Sequence, residues 1–390
     1  MLFFARYFNQ ALAILFNFLF IFTIYRIDLS EKDILFLLIL LGYGPVFAFV
    51  DLVSSRVTFA NIIKSDFHEK ELNFFLSNLF FGCFIAFLVI NILFFGDGGV
   101  KNISMIISNC FIFFGVAQSL RLVFNHYESK LKYEYIELLF RILFLSAILL
   151  IYFGKNSLSV YLSSISLILF LIISQLLLSK KFNFNLINLI IFPKKRCQIL
   201  IFSLLEIFIH YIFFINLINL VDIENKDSVL VWFRILLGLA AIMRIPLDLQ
   251  VSILTKSFVS GKKIEMFRSS GFKISFLLLI LSILGYSIFR DNIFYILTGS
   301  YIEGLPSNKI TFILLTNYLF LHFFGLVVSN SGIYFKQVAM ISSLISLLML
   351  ISLFKATLLS NFFLEIFLLL LVLLTIFNAV LFFKKQQIRS

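Results

Sequence analysis

Twelve long apolar segments fill most of the 390-residue chain, and their length constrains its fold more than any other feature. An α-helix needs about 20 predominantly apolar residues to cross the hydrocarbon core of a bilayer. The segments are continuously apolar rather than alternating, which excludes a transmembrane β-barrel. The sequence therefore predicts an all-α polytopic membrane protein with about twelve transmembrane helices. The predicted spans are 8–25, 34–55, 72–95, 103–123, 136–153, 157–178, 199–221, 229–253, 272–289, 309–330, 337–354 and 361–383.

The composition excludes several other classes of protein. Hydrophobic residues make up 61% of the chain and charged residues only 13%, whereas a soluble protein of this size needs a charged surface. The net charge is +12, but the basic residues lie in short connections, so no nucleic-acid partner is expected. Cys83, Cys110 and Cys197 form no CxxC motif and predict neither a disulfide framework nor a metal site. The apolar run after Arg6 lacks a cleavage site and is interpreted as a retained first helix.

Lys and Arg are distributed unequally between the two alternating sets of connections. The set that includes both termini has 21 of them in or beside its segments, and the other set has 8. Because cytoplasmic connections are enriched in Lys and Arg, both termini are expected in the cytoplasm. The connection 181–198 is basic, lacks acidic residues and is interpreted as a linker held at the anionic inner leaflet. It would join two six-helix lobes, 1–180 and 199–390, around a central cavity.

The segment 229–258, which contains the eighth span, carries Arg234, Arg244, Pro246 and Asp248 within an apolar sequence. A charge near the bilayer centre costs roughly 2.5–3.5 kcal/mol. At about 100° per residue the three charged residues share one helix face, which favours a polar path through the protein. The guanidinium groups would then suit a phosphate-bearing ligand. Alternatively, each arginine snorkels to the nearest headgroup layer while Asp248 pairs with Arg244.

Two further pairs of ionisable residues are four positions apart in predicted spans. Glu206 and His210 in the seventh span suit a proton-coupling site, since either group can titrate when it is desolvated and paired. The alternative for this pair is an interhelical hydrogen bond that fixes packing. Glu137 and Arg141 in the fifth span are expected to neutralise each other close to the inner surface.

Other polar positions in the spans are isolated. The second span contains the sequence GYGP at 42–45, which predicts a kink, followed by Asp51 and by an interfacial Arg56. His322 is the lone histidine of the apolar tenth span and is interpreted as a packing residue. Pro246 is expected to loosen the eighth helix just after Arg244, because proline removes one backbone hydrogen bond.

Common catalytic motifs are missing from the sequence. It contains no GxxxxGK[ST] motif, so the chain carries no ATP-binding cassette, and it contains neither HExxH nor GxSxG. The largest outer loop carries only Arg290, Asp291 and Glu303 as charged residues. We therefore expect a protein that is not an enzyme and that needs no cofactor.

The motifs around the second and eighth spans resemble those of the O-antigen and polysaccharide flippases (Wzx-like proteins). These belong to the multidrug/oligosaccharidyl-lipid/polysaccharide (MOP) exporter superfamily. In that group the second span ends in an Asp-containing turn and a basic residue, which match Asp51 and Arg56. The eighth span carries an Arg and a Pro, which match Arg244 and Pro246. The chain departs from the more usual Asp-Leu-Gly by having Val53. The resembling stretches are 30–66, 233–263 and 289–306.

The resemblance implies transport of an undecaprenyl-pyrophosphate-linked oligosaccharide from the cytoplasmic to the periplasmic leaflet of the bacterial inner membrane. Two lobes would alternate access, driven by a proton or sodium gradient. Expected partners are membrane lipids, a polysaccharide polymerase and a chain-length regulator. The candidate substrate-binding residues are Arg234, Arg244, Arg141 and Arg56, and the candidate ion-coupling residues are Glu206, His210, Asp248 and Asp51.

Three alternatives stay open at the level of the sequence. A drug or metabolite antiporter of the same fold should have more acidic than basic residues in its cavity, whereas the eighth span is basic. An O-antigen polymerase or ligase should present a large periplasmic loop, but no predicted outer loop exceeds about 20 residues. A passive membrane scaffold leaves the charges inside the spans without explanation.

Overall fold

The computed structural model describes most of the chain as helices separated by short connections. The described residues are 2–47, 69–94, 99–124, 130–179, 226–262, 264–300, 305–331 and 363–387, together with single positions between 334 and 347. Within these ranges the chain forms two compact units, Met1–Leu200 and Ile201–Ser390.

Every regular element in the described ranges is helical, which confirms the all-α prediction. Seven helices in the described part of the chain are long and apolar enough to cross a membrane, so the chain is a multi-pass membrane protein. The N-terminal unit contains α1 (Leu2–Ile24), α2 (Glu31–Phe47), α3 (Glu69–Phe94), α4 (Gly99–Phe124), α5 (Lys130–Tyr152) and α6 (Asn156–Ser179). The C-terminal unit contains α7 (Lys226–Val259), a 3₁₀ turn (Met266–Arg268), α8 (Ser270–Thr298), α9 (Asn308–Ser331) and α10 (Phe363–Gln387).

Ten of the twelve predicted spans overlap these helices, although residues 48–55 of the second span lie outside the described residues. The seventh predicted span, 199–221, lies outside the described residues, as does most of the eleventh, 337–354. The proposed linker 181–198 also lies outside them, and the division into lobes at this linker stays a prediction.

The end of α8 corrects one expectation. Arg290 and Asp291 do not lie in a loop, because α8 continues to Thr298. Beyond the two charges the sequence becomes apolar again, and Phe294 and Leu297 are buried. The helix ends at Gly299, whose φ of 80° is left-handed and therefore suits glycine.

In the N-terminal unit, the largely buried α4 packs against α2, α3, α5 and α6, while α5 packs against α1 and α6. Aromatic side chains fill much of this core. The ring of Phe113 on α4 lies 4.7 Å, between centroids, from those of Phe144 on α5 and Phe170 on α6. Since lipid is as apolar as these rings, close packing rather than escape from water holds the helices together.

In the C-terminal unit, α7 packs against α8 and α9, and α9 also packs against α10. The buried Trp232 Nε1 donates a hydrogen bond to Thr311 Oγ1 at 3.0 Å. The backbone N–H of Ile264 donates to Gln386 Oε1 at 3.1 Å, so the end of α10 lies beside the connection between α7 and α8. One end of this unit therefore gathers the basic residues Lys256, Lys262, Arg268, Lys273, Lys384 and Lys385.

Helices α7 and α8 approach closely at Gly271. Gln250 on α7 accepts hydrogen bonds through Oε1 from Ser269 Oγ at 2.8 Å and from the backbone N–H of Gly271 at 3.1 Å. The second bond satisfies a backbone donor at the start of α8 that has no partner within the helix. A Cβ atom at position 271 would lie 2.6 Å from Gln250 Oε1 and 2.8 Å from the carbonyl oxygen of Pro246.

Replacing Gly271 by alanine is therefore expected to destabilise the C-terminal unit by about 1–3 kcal/mol, because backbone must move to admit the methyl group. Thermal unfolding in detergent, followed by the fluorescence of Trp232, measures this change, since Trp232 is the single tryptophan of the chain. Gly285→Ala is the matched control, because no atom lies within 4 Å of a Cβ built there. Equal unfolding temperatures for the two variants would contradict the close approach.

Candidate functional site

The C-terminal unit brings three ionisable side chains together on α7 and α9, and we call Arg244, Asp248 and His322 the α7–α9 site. Arg244 Nε lies 3.6 Å from Asp248 Oδ2. His322 Nε2 lies 2.9 Å from Asp248 Oδ1, which is hydrogen-bonding distance. Both oxygens of one carboxylate are therefore engaged, one by a residue of the same helix and one by a residue of another.

Local sequence explains the α7 half of the site. Arg244 and Asp248 are one helical turn apart, so the helix pitch alone makes them neighbours. Pro246 lies between them inside α7 and cannot donate a backbone hydrogen bond to the preceding turn. The α9 half depends on packing, because His322 is 74 residues away from Asp248 in the chain.

The α7–α9 site is open rather than sealed. The side chains of Arg244, Asp248 and His322 are 38%, 34% and 17% exposed, respectively. A charged group exposed to hydrocarbon is costly, so this opening fits a water-filled space or the headgroup layer better than lipid tails. Because the carboxylate oxygen of Asp248 lies 3.6 Å from Arg244 Nε, the guanidinium of Arg244 retains N–H donors that can bind a further anion.

Arg234, the third charge of the eighth predicted span, lies apart from this site. It is buried, and ten residues of helix separate it from Arg244, which corresponds to about 15 Å along the axis. The structure therefore joins Arg244 to Asp248 and His322 but leaves Arg234 in the core of the unit.

The N-terminal unit contains a second, sealed group of charges, which we call the α1–α4–α5 cluster. It consists of Arg6 on α1, Arg121 on α4, and Glu134, Glu137 and Arg141 on α5. Both glutamates are fully buried. Three cations and two anions share the cluster, so its formal charge is +1.

Each glutamate of the α1–α4–α5 cluster is held by two arginines. Glu134 accepts a hydrogen bond from Arg6 Nε at 2.7 Å and lies 3.4 Å from Arg121 Nε. Glu137 accepts from Arg141 Nε at 2.9 Å and also from Arg121. A buried carboxylate requires this kind of pairing, because an uncompensated charge inside a protein is strongly unfavourable.

Arg141 has two interactions that hold it in the interior. The expected pairing with Glu137 at i,i+4 is present, and the guanidinium carbon lies 5.0 Å above the ring centre of Phe114. Such a cation–π contact strengthens when water is excluded. Arg141 therefore lies within a closed ion-pair network rather than on an open surface.

Four residues that the sequence singled out lie outside the described residues: Arg56, Asp51, Glu206 and His210. Their proposed roles stay predictions.

Sequence reasoning missed two features of these sites. It treated His322 as a lone packing residue, although His322 contacts Asp248. It also overlooked Glu134, although positions 134, 137 and 141 follow the i, i+3, i+7 spacing of one helix face. That spacing was the signal available in the sequence, and it indicates a continuous polar stripe along α5.

Solved structures of other proteins share this fold. A MOP superfamily transporter from Pyrococcus furiosus Vc1 (DSM3638), described as having a binding pocket of reverse polarity that suggests a different function, aligns with a TM-score of 0.63 and 12% identity. That alignment covers 100% of this chain and 94% of the other. A MATE in the bent conformation aligns with a TM-score of 0.55 and 14% identity, covering 99% of this chain and 93% of the other.

The chain therefore has the fold of this MOP superfamily transporter and of this MATE. No protein-family model and no curated protein matches the sequence.

Proposed function

We propose that the chain is a flippase that moves an undecaprenyl-pyrophosphate-linked oligosaccharide from the cytoplasmic to the periplasmic leaflet of a bacterial inner membrane, by ion-coupled alternating access. The observation that carries the proposal is Arg244, a partly exposed guanidinium within a membrane-spanning helix. The lipid tail can stay in the bilayer, so the protein has to accommodate only the pyrophosphate and the sugars.

A pyrophosphate is the ligand chemistry that Arg244 suits best. The guanidinium presents its donors in a planar fork that matches two phosphate oxygens, and it keeps its charge at any physiological pH. Its distance of 3.6 Å from Asp248 is longer than that of a charge-assisted hydrogen bond, which is about 2.7–2.9 Å. An incoming phosphate can therefore replace a weak contact instead of a strong one.

The other candidates take supporting roles in this proposal. Arg234 and Arg56 would add positive charge along the substrate path, and Arg141 would contribute after its pairing with Glu137 opens. Asp248 would take part in ion coupling, as would Asp51, Glu206 and His210. A polysaccharide polymerase and a chain-length regulator would act on the translocated product.

The charge distribution supports an orientation with both termini in the cytoplasm. The end of the C-terminal unit that gathers Lys262, Arg268 and Lys384 is markedly basic, and such ends face the cytoplasm in most membrane proteins. In this orientation α7 runs towards the cytoplasm, and Arg244 lies in the cytoplasmic half of its span. A lipid-linked substrate entering from the inner leaflet would then meet Arg244 early.

Replacing Arg244 by alanine is expected to reduce translocation about 10- to 100-fold, because a charged hydrogen bond contributes about 1.5–3 kcal/mol. In the native host, lipid-linked repeat units should accumulate on the cytoplasmic side while the variant stays in the membrane. Arg268→Ala is the control, since Arg268 is exposed and pairs with Glu265 outside the spans. Normal surface glycan in the Arg244 variant would overturn the proposal.

The second candidate function is a small-molecule antiporter of the MATE type, because a MATE structure also aligns over 99% of the chain. A cationic drug would bind the carboxylate of Asp248 rather than the guanidinium of Arg244. The same two positions therefore separate the functions. Loss of drug efflux in Asp248→Asn with normal glycan in Arg244→Ala would favour the antiporter.

A further inference from the structure

We propose that His322 is the proton-binding residue of the α7–α9 site, and that its protonation releases Arg244 from Asp248 to bind an anion. This inference rests on the proposed function, because it assigns Arg244 a pyrophosphate-type ligand. It goes further by naming the residue that takes the proton and the sign of the coupling.

The geometry makes Asp248 the shared partner of two cationic groups. Its Oδ1 lies 2.9 Å from His322 Nε2, while its Oδ2 lies 3.6 Å from Arg244 Nε. The shorter contact belongs to the residue that can change its charge, and the longer contact belongs to the residue that cannot. A change at His322 therefore acts directly on how strongly Asp248 holds Arg244.

Protonation changes the charge of the whole site. With a neutral imidazole, Arg244 and Asp248 cancel and the α7–α9 site has no net charge. An imidazolium at His322 raises the net charge to +1 and forms a charge-assisted bond with the carboxylate. Since Asp248 then neutralises His322, the guanidinium of Arg244 is the positive group left to attract an anion.

Among the described residues, Arg244 and Asp248 on α7 are charged groups that act on His322. Helix α9 packs against α7, α8 and α10. On α8 and α10 the charged residues lie towards the helix ends, at Lys273, Arg290, Asp291, Glu365, Lys384 and Lys385.

Proton binding and anion binding then reinforce each other. Linkage makes this reciprocal, so that anion binding must also draw a proton onto the site. The proton and the anion therefore occupy the site together. Histidine is suited to this role because its charge changes between about pH 5 and pH 8.

Calorimetry on the purified full-length chain in detergent tests the inference with farnesyl pyrophosphate, a soluble prenyl pyrophosphate, as the probe. We expect the affinity to rise as the pH falls from about 8 to about 6, by at most about tenfold per pH unit for one linked proton. Titrations in buffers of different ionisation enthalpy should show proton uptake on binding. Proton release on binding would overturn the inference. So would an affinity that falls as the pH falls, if the fall is by the same factor in the wild type and in His322→Gln.

Three variants separate a proton site from a packing role. His322→Gln should bind the probe at both pH values with the low affinity that the wild type has at pH 8. Any pH dependence that comes from titration of the probe itself is the same for both proteins. His322→Lys carries a fixed charge and should bind tightly at both. Asp248→Asn removes the competitor of Arg244 and should raise the affinity at pH 8. Trp232 fluorescence, from the same unit, verifies that each variant is folded.

The outcomes distinguish the inference from the proposed function. Binding that depends on Arg244 but has the same pH dependence in the wild type and in His322→Gln overturns only the role of His322. Binding that is absent at both pH values, or unchanged in Arg244→Gln, overturns the pyrophosphate ligand and with it both proposals.

Discussion

Replacing Glu137 by glutamine is expected to destabilise the N-terminal unit by about 3–5 kcal/mol. Glu137 is fully buried and accepts hydrogen bonds from Arg121 and Arg141. Glutamine keeps the shape of the side chain but removes its charge. The buried Arg141 then loses the carboxylate of Glu137, and Arg121 keeps only that of Glu134. The formal charge of the α1–α4–α5 cluster rises from +1 to +2.

Labelling of Cys83 and Cys110 by a maleimide dye measures the stability of this unit, because both thiols are buried in the folded protein. A background in which Cys197 is replaced by serine limits the signal to these two residues. In Glu137→Gln both thiols should react at a lower temperature than in the parent protein. A variant that also carries Arg141→Gln should recover part of the loss, since it removes the buried cation that had paired with Glu137.

Glu265→Gln is the matched control for the loss of a carboxylate. Glu265 pairs with Arg268 at 2.7 Å, but both side chains are exposed to solvent. Exposed pairs of this kind contribute about 0–1 kcal/mol, so labelling should hardly change. If the two glutamine variants labelled alike, the buried cluster would not hold the N-terminal unit together.

Replacing Phe113 by alanine is expected to cost about 3–5 kcal/mol, because the cavity left in the aromatic core cannot close fully. The ring of Phe113 is fully buried between those of Phe144 and Phe170 and lies 5.8 Å from the guanidinium carbon of Arg141. Its removal deletes dispersion contacts that neither lipid nor neighbouring helices can replace.

Phe84→Ala provides the matched control, since Phe84 belongs to the same unit but is 61% exposed. Cys83 on α3 is the preferred probe for this pair, because Cys110 is one helical turn from Phe113 and would also report a local cavity. The Phe113 variant should expose Cys83 at a lower temperature than the Phe84 variant. Equal values would mean that the position of a phenylalanine in this unit has no effect on stability.

The membrane-spanning character of the chain was predictable because it depends on local properties. Length and continuous hydropathy are read along the sequence, and ten predicted spans overlap described helices. Boundaries were less certain where charge and apolarity alternate. Arg290 and Asp291 suggested a loop, but burial of Phe294 and Leu297 carries α8 past them.

Contacts within one helix were equally predictable. Glu137 with Arg141, and Arg244 with Asp248, are one turn apart, and the helix pitch brings such residues together wherever the helix lies. The sequence could therefore nominate charged pairs, but it could not tell that the first is sealed in a core and the second is open.

Contacts between helices had to come from the tertiary structure. His322 meets Asp248 across 74 residues, and Arg6 meets Glu134 across 128. Such meetings depend on the rotation and tilt of each helix, which are set by the sum of many small packing contacts. The same reason separates the buried Phe113 from the exposed Phe84 among 54 phenylalanines. The sequence by itself determined that charges are retained inside apolar helices, whereas only packing between helices decided which partners they have.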